Sequence, residues 1–195
     1  IIAFTKTRPF WIAVWFIVLI VMGLIVGWLM SWEGMASGSG IPQVQGELKG
    51  YLNQNWHRVL CSKIIGGTLC ILGGLFLGRE GPSIQLGAVA AQGVSRLMGR
   101  TRMEERYLLT SGASAGLAAA FNAPLAGVIF ALEELHRNFS IMVLLPSMAA
   151  AFTATIISRA IFGRATIFDI PDLQLLPIGY YGIVILVALA SGNGT

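Results

Sequence analysis

Gly78-Arg79-Glu80-Gly81-Pro82 separates two uncharged runs, residues 64–78 and 81–95, and holds the only charged residues between Lys63 and Arg96. As a helix, each run would reach only about 22 Å at about 1.5 Å per residue. That is short of the hydrocarbon core of a bilayer, about 30 Å. Short apolar segments broken by glycine and proline mark discontinuous helices, whose ends meet inside a membrane around a transported ion. The break has a twin upstream, Gly38-Ser39-Gly40-Ile41-Pro42. In both, glycine permits unusual backbone angles, and proline suits the first helical turn, where its missing N–H is no loss. Each break therefore aims a helix N-terminus, with unpaired N–H groups and a partial charge of about +0.5. Two such ends at mid-membrane would form an anion site without a full cation, and a halide would leave it more readily than it would leave a lysine.

The composition supports a lipid environment. Of 195 residues, 55% are hydrophobic and only 11% charged, where a soluble domain has about 25% charged. Further uncharged runs cover 9–32, 107–132, 138–158 and 173–195, each long enough to span. Lys6, Arg8 and the tryptophans at 11, 15, 28 and 32 flank the first as interfacial anchors. The net charge of +4 is scattered over segment boundaries, which suits lipid headgroups and excludes a nucleic-acid surface. Cys61 and Cys70 form no Cys-x-x-Cys pair and read as buried packing residues. The chain starts without methionine, and both ends read as cut from a longer protein.

The pattern predicts an all-α, polytopic membrane protein with discontinuous, tilted helices over 10–32, 41–48, 57–77, 82–98, 103–121, 124–136, 140–163 and 178–190. Gly112 and Gly116 lie four apart, a face on which helix backbones pack closely in lipid. Arg96, Arg100, Arg102, Glu104, Glu105 and Arg106 form the one charge-rich stretch, expected in a solvent loop or at headgroups and not at a site.

Glu80 is the sharpest candidate. A carboxylate between apolar runs costs about 2.5–3.5 kcal/mol at the bilayer centre, so it should face a pore, a partner or a site. At the start of its helix it would compete with an anion for the same amides, and protonation would release it. The plainer reading is a salt bridge with Arg79 or a helix-terminal charge. Ser39 offers a hydroxyl to an anion or merely caps a turn. Glu133 and Glu134 close a helix beginning at Pro124 and point about 100° apart, so one could face a proton path and the other solvent. Both could equally sit at a hydrated end beside His136 and Arg137. Glu133 and His136 match half of a di-iron motif, but the second copy is missing and His57 lies in a polar hairpin. No metal site and no cofactor are expected, and an intramembrane metalloenzyme is the remote alternative.

Three motifs in order, Gly38 to Pro42, Gly78 to Pro82, and Gly116-Leu-Ala-Ala-Ala-Phe-Asn-Ala-Pro-Leu-Ala-Gly127 followed by Glu133-Glu134, resemble the signatures of the CLC chloride channel and transporter family. The resemblance implies a dimer of subunits, each built from two inverted halves around its own pore, of which this chain holds roughly the first half. It lacks the family's first helices, the second-half Gly-x-Phe-x-Pro motif and the late tyrosine near the central chloride; Tyr180 and Tyr181 come too early. By resemblance, chloride binds at Gly38, Ser39, Gly40, Ile41, Arg79, Glu80 and Gly81. Glu80 is then the external gating glutamate and Glu134 the internal proton-transfer glutamate. An acid at Glu134 implies chloride/proton antiport, with a passive chloride channel of the same fold as the alternative. The expected setting is a multi-pass homodimer in a bacterial-type cell membrane, paired through the helices between 124 and 163, with chloride, protons and lipid as partners.

Overall fold

The computed structural model describes residues 9–75, 78–137 and 139–163. They lie in one compact unit, Ile1–Arg164. The predicted helix at 178–190 lies outside the described residues. Every regular element among those residues is helical: α1 (Pro9–Trp32), a 3-10 turn (Gly34–Ala36), α2 (Ile41–Leu48), α3 (Trp56–Leu72), α4 (Glu80–Leu97), α5 (Arg102–Phe121), α6 (Pro124–Phe130) and α7 (Ile141–Phe162). A π-helical turn, Ala131–His136, continues α6.

The bounds differ from the sequence pattern where local chemistry overrides hydropathy. α3 stops at Leu72, not 77, because Gly74 adopts φ +82°, a left-handed value that glycine takes without strain. Gly74 N–H then donates to Ile71 O at 3.0 Å and Leu75 N–H to Cys70 O at 3.0 Å, closing a Schellman motif. α4 begins at Glu80, two residues before the expected 82, so the acid sits in the first helical turn. The segment expected as one helix over 124–136 is α-helical only to Phe130. At the charged end of α5, Thr101 and Glu104 form a reciprocal capping box. The hydrogen bonds that Thr101 donates hold the Glu104 carboxyl below its ordinary range.

The core packs on small residues. Gly87 on α4 lies against the carbonyl of Gly112 on α5, and Gly116 lies against that of Ser83; a side chain at either glycine would force the helices apart. Around this seam lie Val44, Leu48, Ile84, Ala88, Leu109, Ala113, Leu117, Ala131 and Leu135. A second cluster of Ala118, Val128, Leu132, Val143 and Ala151 seats α7.

The outward faces are apolar. Val14–Trp32 within α1 and Ile141–Phe162 are the two described helices long and apolar enough to cross a membrane. Leu24, Trp28, Ile156 and Ile161 on them are two-thirds exposed, which fits lipid and not water. Cys61 is exposed on α3, against the expectation that it is buried; a thiol is apolar enough to face lipid or a neighbouring helix.

Candidate functional site

The break between α1 and α2 is shaped by glycine. Gly38 and Gly40 take φ of +71° and +94°, and Gly40 caps α2 directly against the Gln85 side chain, which a Cβ at Gly40 would overlap. These angles leave a run of backbone carbonyls that side chains from α2, α3 and α4 take up. Gln85 Nε2 donates to Met35 O at 2.8 Å, Gln43 Nε2 to Ser37 O at 2.8 Å, and Lys63 Nζ to Ala36 O at 2.9 Å and Gly38 O at 2.8 Å. Four consecutive carbonyls are therefore engaged. Among the described residues, the N–H groups of Gly38, Ser39 and Gly40 and the Ser39 hydroxyl have no hydrogen-bond partner. The carbonyls of residues 35–38 are taken and the donors at 38–40 are left free, as an anion requires.

The second break packs on the first. Gly81 lies so close to the Ser39 backbone that a Cβ on it would overlap the Ser39 carbonyl oxygen. Gly38, Ser39, Ile41, Glu80 and Gly81 line one cavity of about 480 Å³, together with Lys63 and Cys70. Arg79 instead lines an adjoining cavity of about 840 Å³, and Lys63, Gly78 and Pro82 border both. Of the residues singled out in the sequence, Gly40 alone in the first break is buried away from the cavity. Glu80 and Ser39 are solvent-accessible at the cavity. Gly81→Ala is expected to destabilise the protein by about 1–3 kcal/mol, the usual cost of overpacking, read as a lower midpoint of denaturant unfolding in detergent. An unchanged midpoint would mean that the two breaks do not touch.

The expectation of an anion site without a full cation is corrected by Lys63. Its side chain is 7% exposed, and buried lysines need partners. Here the ammonium is held by the carbonyls behind the break. Sequence reading passed over Lys63 because it stands at the edge of an apolar run; only a chain contact across 25 residues brings it to Gly38.

Glu134 lies elsewhere, on the π turn that follows α6. Gln45 Nε2 donates to its Oε1 at 2.9 Å and to its backbone carbonyl at 3.1 Å. Glu133, also exposed, has no hydrogen-bonded side-chain partner among the described residues. The two adjacent acids thus differ in environment, and the difference comes from Gln45. His136 stacks obliquely on Tyr107, ring centroids 6.2 Å apart.

The charge-rich stretch does not lie wholly at the surface. Arg96 Nη2 pairs with Glu47 Oε1 at 3.1 Å and Arg96 Nε with Glu105 Oε1 at 2.8 Å. Both carboxylates are buried and share Gln92 Nε2, at 2.6 and 3.1 Å. α2 and α5 converge there, which removes these acids from solvent.

The chain is similar to known proteins in sequence and in fold. Residues 22–194 match the family model described as voltage gated chloride channel. The chain is 35% identical over 199 residues to an H(+)/Cl(-) exchange transporter ClcA of Citrobacter koseri, covering 97% of this chain and 42% of the relative. A namesake from Klebsiella pneumoniae is also 35% identical over the same span. One from Salmonella arizonae is 38% identical over 162 residues, 80% of this chain and 34% of the relative. The crystal structure of a slow cyanobacterial Cl-/H+ antiporter superposes with TM-score 0.77 at 37% identity, over 89% of this chain and 42% of that one. The chain spans about a third to two-fifths of the length of these relatives. With paired helix breaks, free amides and the matched span together, the chain belongs to the voltage-gated chloride channel, or CLC, family.

Proposed function

We propose that the full-length protein is a secondary active transporter that exchanges chloride for protons across a membrane. One observation carries this reading: Ser39 and Glu80 line one cavity, with the N-terminal residues of α2 and α4 in contact around it. The likeness to transporters named for H(+)/Cl(-) exchange supports the choice of ions.

Chloride is held by the Ser39 hydroxyl and by the amides around Gly38, Ser39, Gly40 and Ile41, with Arg79, Glu80 and Gly81 contributing at the outer end. No cofactor takes part. Glu80, at the first turn of α4, competes for the same positive field when ionised. Protonated, it yields to the anion, which links one proton to chloride movement. Glu134 passes the proton on the other side. The working unit is a homodimer paired through the apolar helices between residues 124 and 163, in a bacterial-type cell membrane.

Lys63 adds long-range attraction and aligns the break. Lys63→Met is expected to weaken chloride binding about tenfold, since hydrogen bonds to a charged donor contribute about 1.5–3 kcal/mol. Lys63→Arg should retain part of the affinity. Isothermal titration of the purified protein with chloride measures this, and unchanged affinity in Lys63→Met would remove the lysine from the site.

The function itself is tested with the full-length chain in liposomes. An outward chloride gradient should drive protons uphill into the vesicle. Chloride flux with no uphill proton movement would leave a passive channel, and no flux of either ion would refute the transport reading.

A further inference from the structure

The contact that distinguishes Glu134 from Glu133 originates on the helix that carries the anion break. Gln45 stands five residues beyond Gly40, the N-cap of α2, about 7.5 Å along the helix axis. Its Nε2 donates both to the carboxylate and to the backbone carbonyl of Glu134. Both partners are acceptors, so the NH2 end of the amide must face them, whichever way the amide is assigned. The geometry is self-anchoring. The backbone carbonyl, in the π turn, orients the amide, and the second N–H of the same nitrogen is then aimed at Oε1.

We infer that Gln45 is a positioning residue for proton transfer: it holds the Glu134 carboxyl in one rotamer and ties it to α2, whose other end forms the chloride site. Without that donor an exposed glutamate at a helix end is free to sample several rotamers, most of them away from the path. Gln45 does not line the cavity that Ser39 and Glu80 share, so chloride passage should be spared. The inference rests on the transport reading above and on Glu134 carrying the proton.

Four variants of the full-length chain separate these levels, with chloride and proton fluxes measured together in liposomes under opposed gradients. Gln45→Met keeps length and removes the donor; Gln45→Ala checks the result if the longer side chain repacks. Either should lower proton flux about tenfold, the low end for a charge-assisted hydrogen bond, with chloride flux within about twofold. A merely structural role would lower both fluxes in proportion and would overturn the inference. So would a wild-type proton-to-chloride ratio in both Gln45 variants while Glu134→Gln is uncoupled. If Glu134→Gln itself still drives protons uphill, the assignment of Glu134 falls instead. In the Gln45→Met/Glu134→Gln double variant the flux ratio should match Glu134→Gln alone, because the amide has no role once the acid is gone.

Discussion

Glu80→Gln is expected to abolish proton-driven chloride accumulation while chloride still moves down its own gradient. The amide matches the protonated acid in size and charge, so the substituted side chain no longer competes for the helix N-terminus when the anion arrives. An ionised group at an exposed helix N-terminus is worth about 0.3–1 kcal/mol, so its removal shifts the competition toward chloride by up to about fivefold. With no carboxylate to load and unload, the proton flux should fall to the background of empty liposomes. The change differs in kind from that of Glu134→Gln, which should stop proton movement and leave chloride passage under Glu80 control. Paired chloride-electrode and pH-electrode records on the same vesicles test this. Retention of uphill proton movement in Glu80→Gln would end the gating assignment, because the residue would then lie beside the cavity without controlling it.

The breaks were legible in the sequence, and the clamps behind them were not. Glycine and proline act locally: the φ values of Gly38 and Gly40 follow from residues within the break itself. The proximity of Ser39 and Glu80 was also readable, as two matched helix starts, one of them between segments too short to span. The α4 start was displaced by two residues because Glu80 and Gly81 are compatible with a first turn ahead of Pro82. The partners of the break carbonyls could not be read. Lys63, Gln43 and Gln85 act across 25, 6 and 50 residues, and nothing in hydropathy marks a glutamine that will meet a carbonyl. The adjacent pair Glu133 and Glu134 makes the same point. Helix geometry says that they diverge, and only the tertiary placement of Gln45 decides which one is held.

The burial within the charged stretch is hidden from the sequence for a related reason. A run of arginine and glutamate resembles a solvated loop, since charges are seldom buried unless paired. Pairing is what the fold supplies. Glu47 comes from α2, Arg96 from the end of α4 and Glu105 from the start of α5, so the triad pins three helix ends at one point. Arg96 also donates to the Gln54 backbone carbonyl at 3.1 Å and to Asn53 Oδ1 at 2.9 Å, which ties in the hairpin before α3. Because α2 begins at the anion break, this cluster also fixes the far end of the helix that presents Ser39 and Gln45.

Arg96→Met is therefore expected to be the most destabilising of these substitutions. It leaves two buried carboxylates, each under a tenth exposed, facing the same Gln92 amide without the cation between them. Removing one partner of a buried pair costs about 3–5 kcal/mol. The lower end applies here, since Arg102 Nη1 remains 3.6 Å from Glu105 Oε2 and Gln92 still donates to both acids. The loss should be read as a reduced midpoint in denaturant unfolding in detergent. Arg96→Met/Glu105→Gln should recover part of it by removing one of the two stranded charges, whereas Arg100→Met, whose partner Glu104 is exposed at 3.6 Å, should change stability by less than about 1 kcal/mol. Equal effects from Arg96 and Arg100 would mean that the triad is a surface ion pair like any other, and that the far end of α2 is held by its apolar contacts alone.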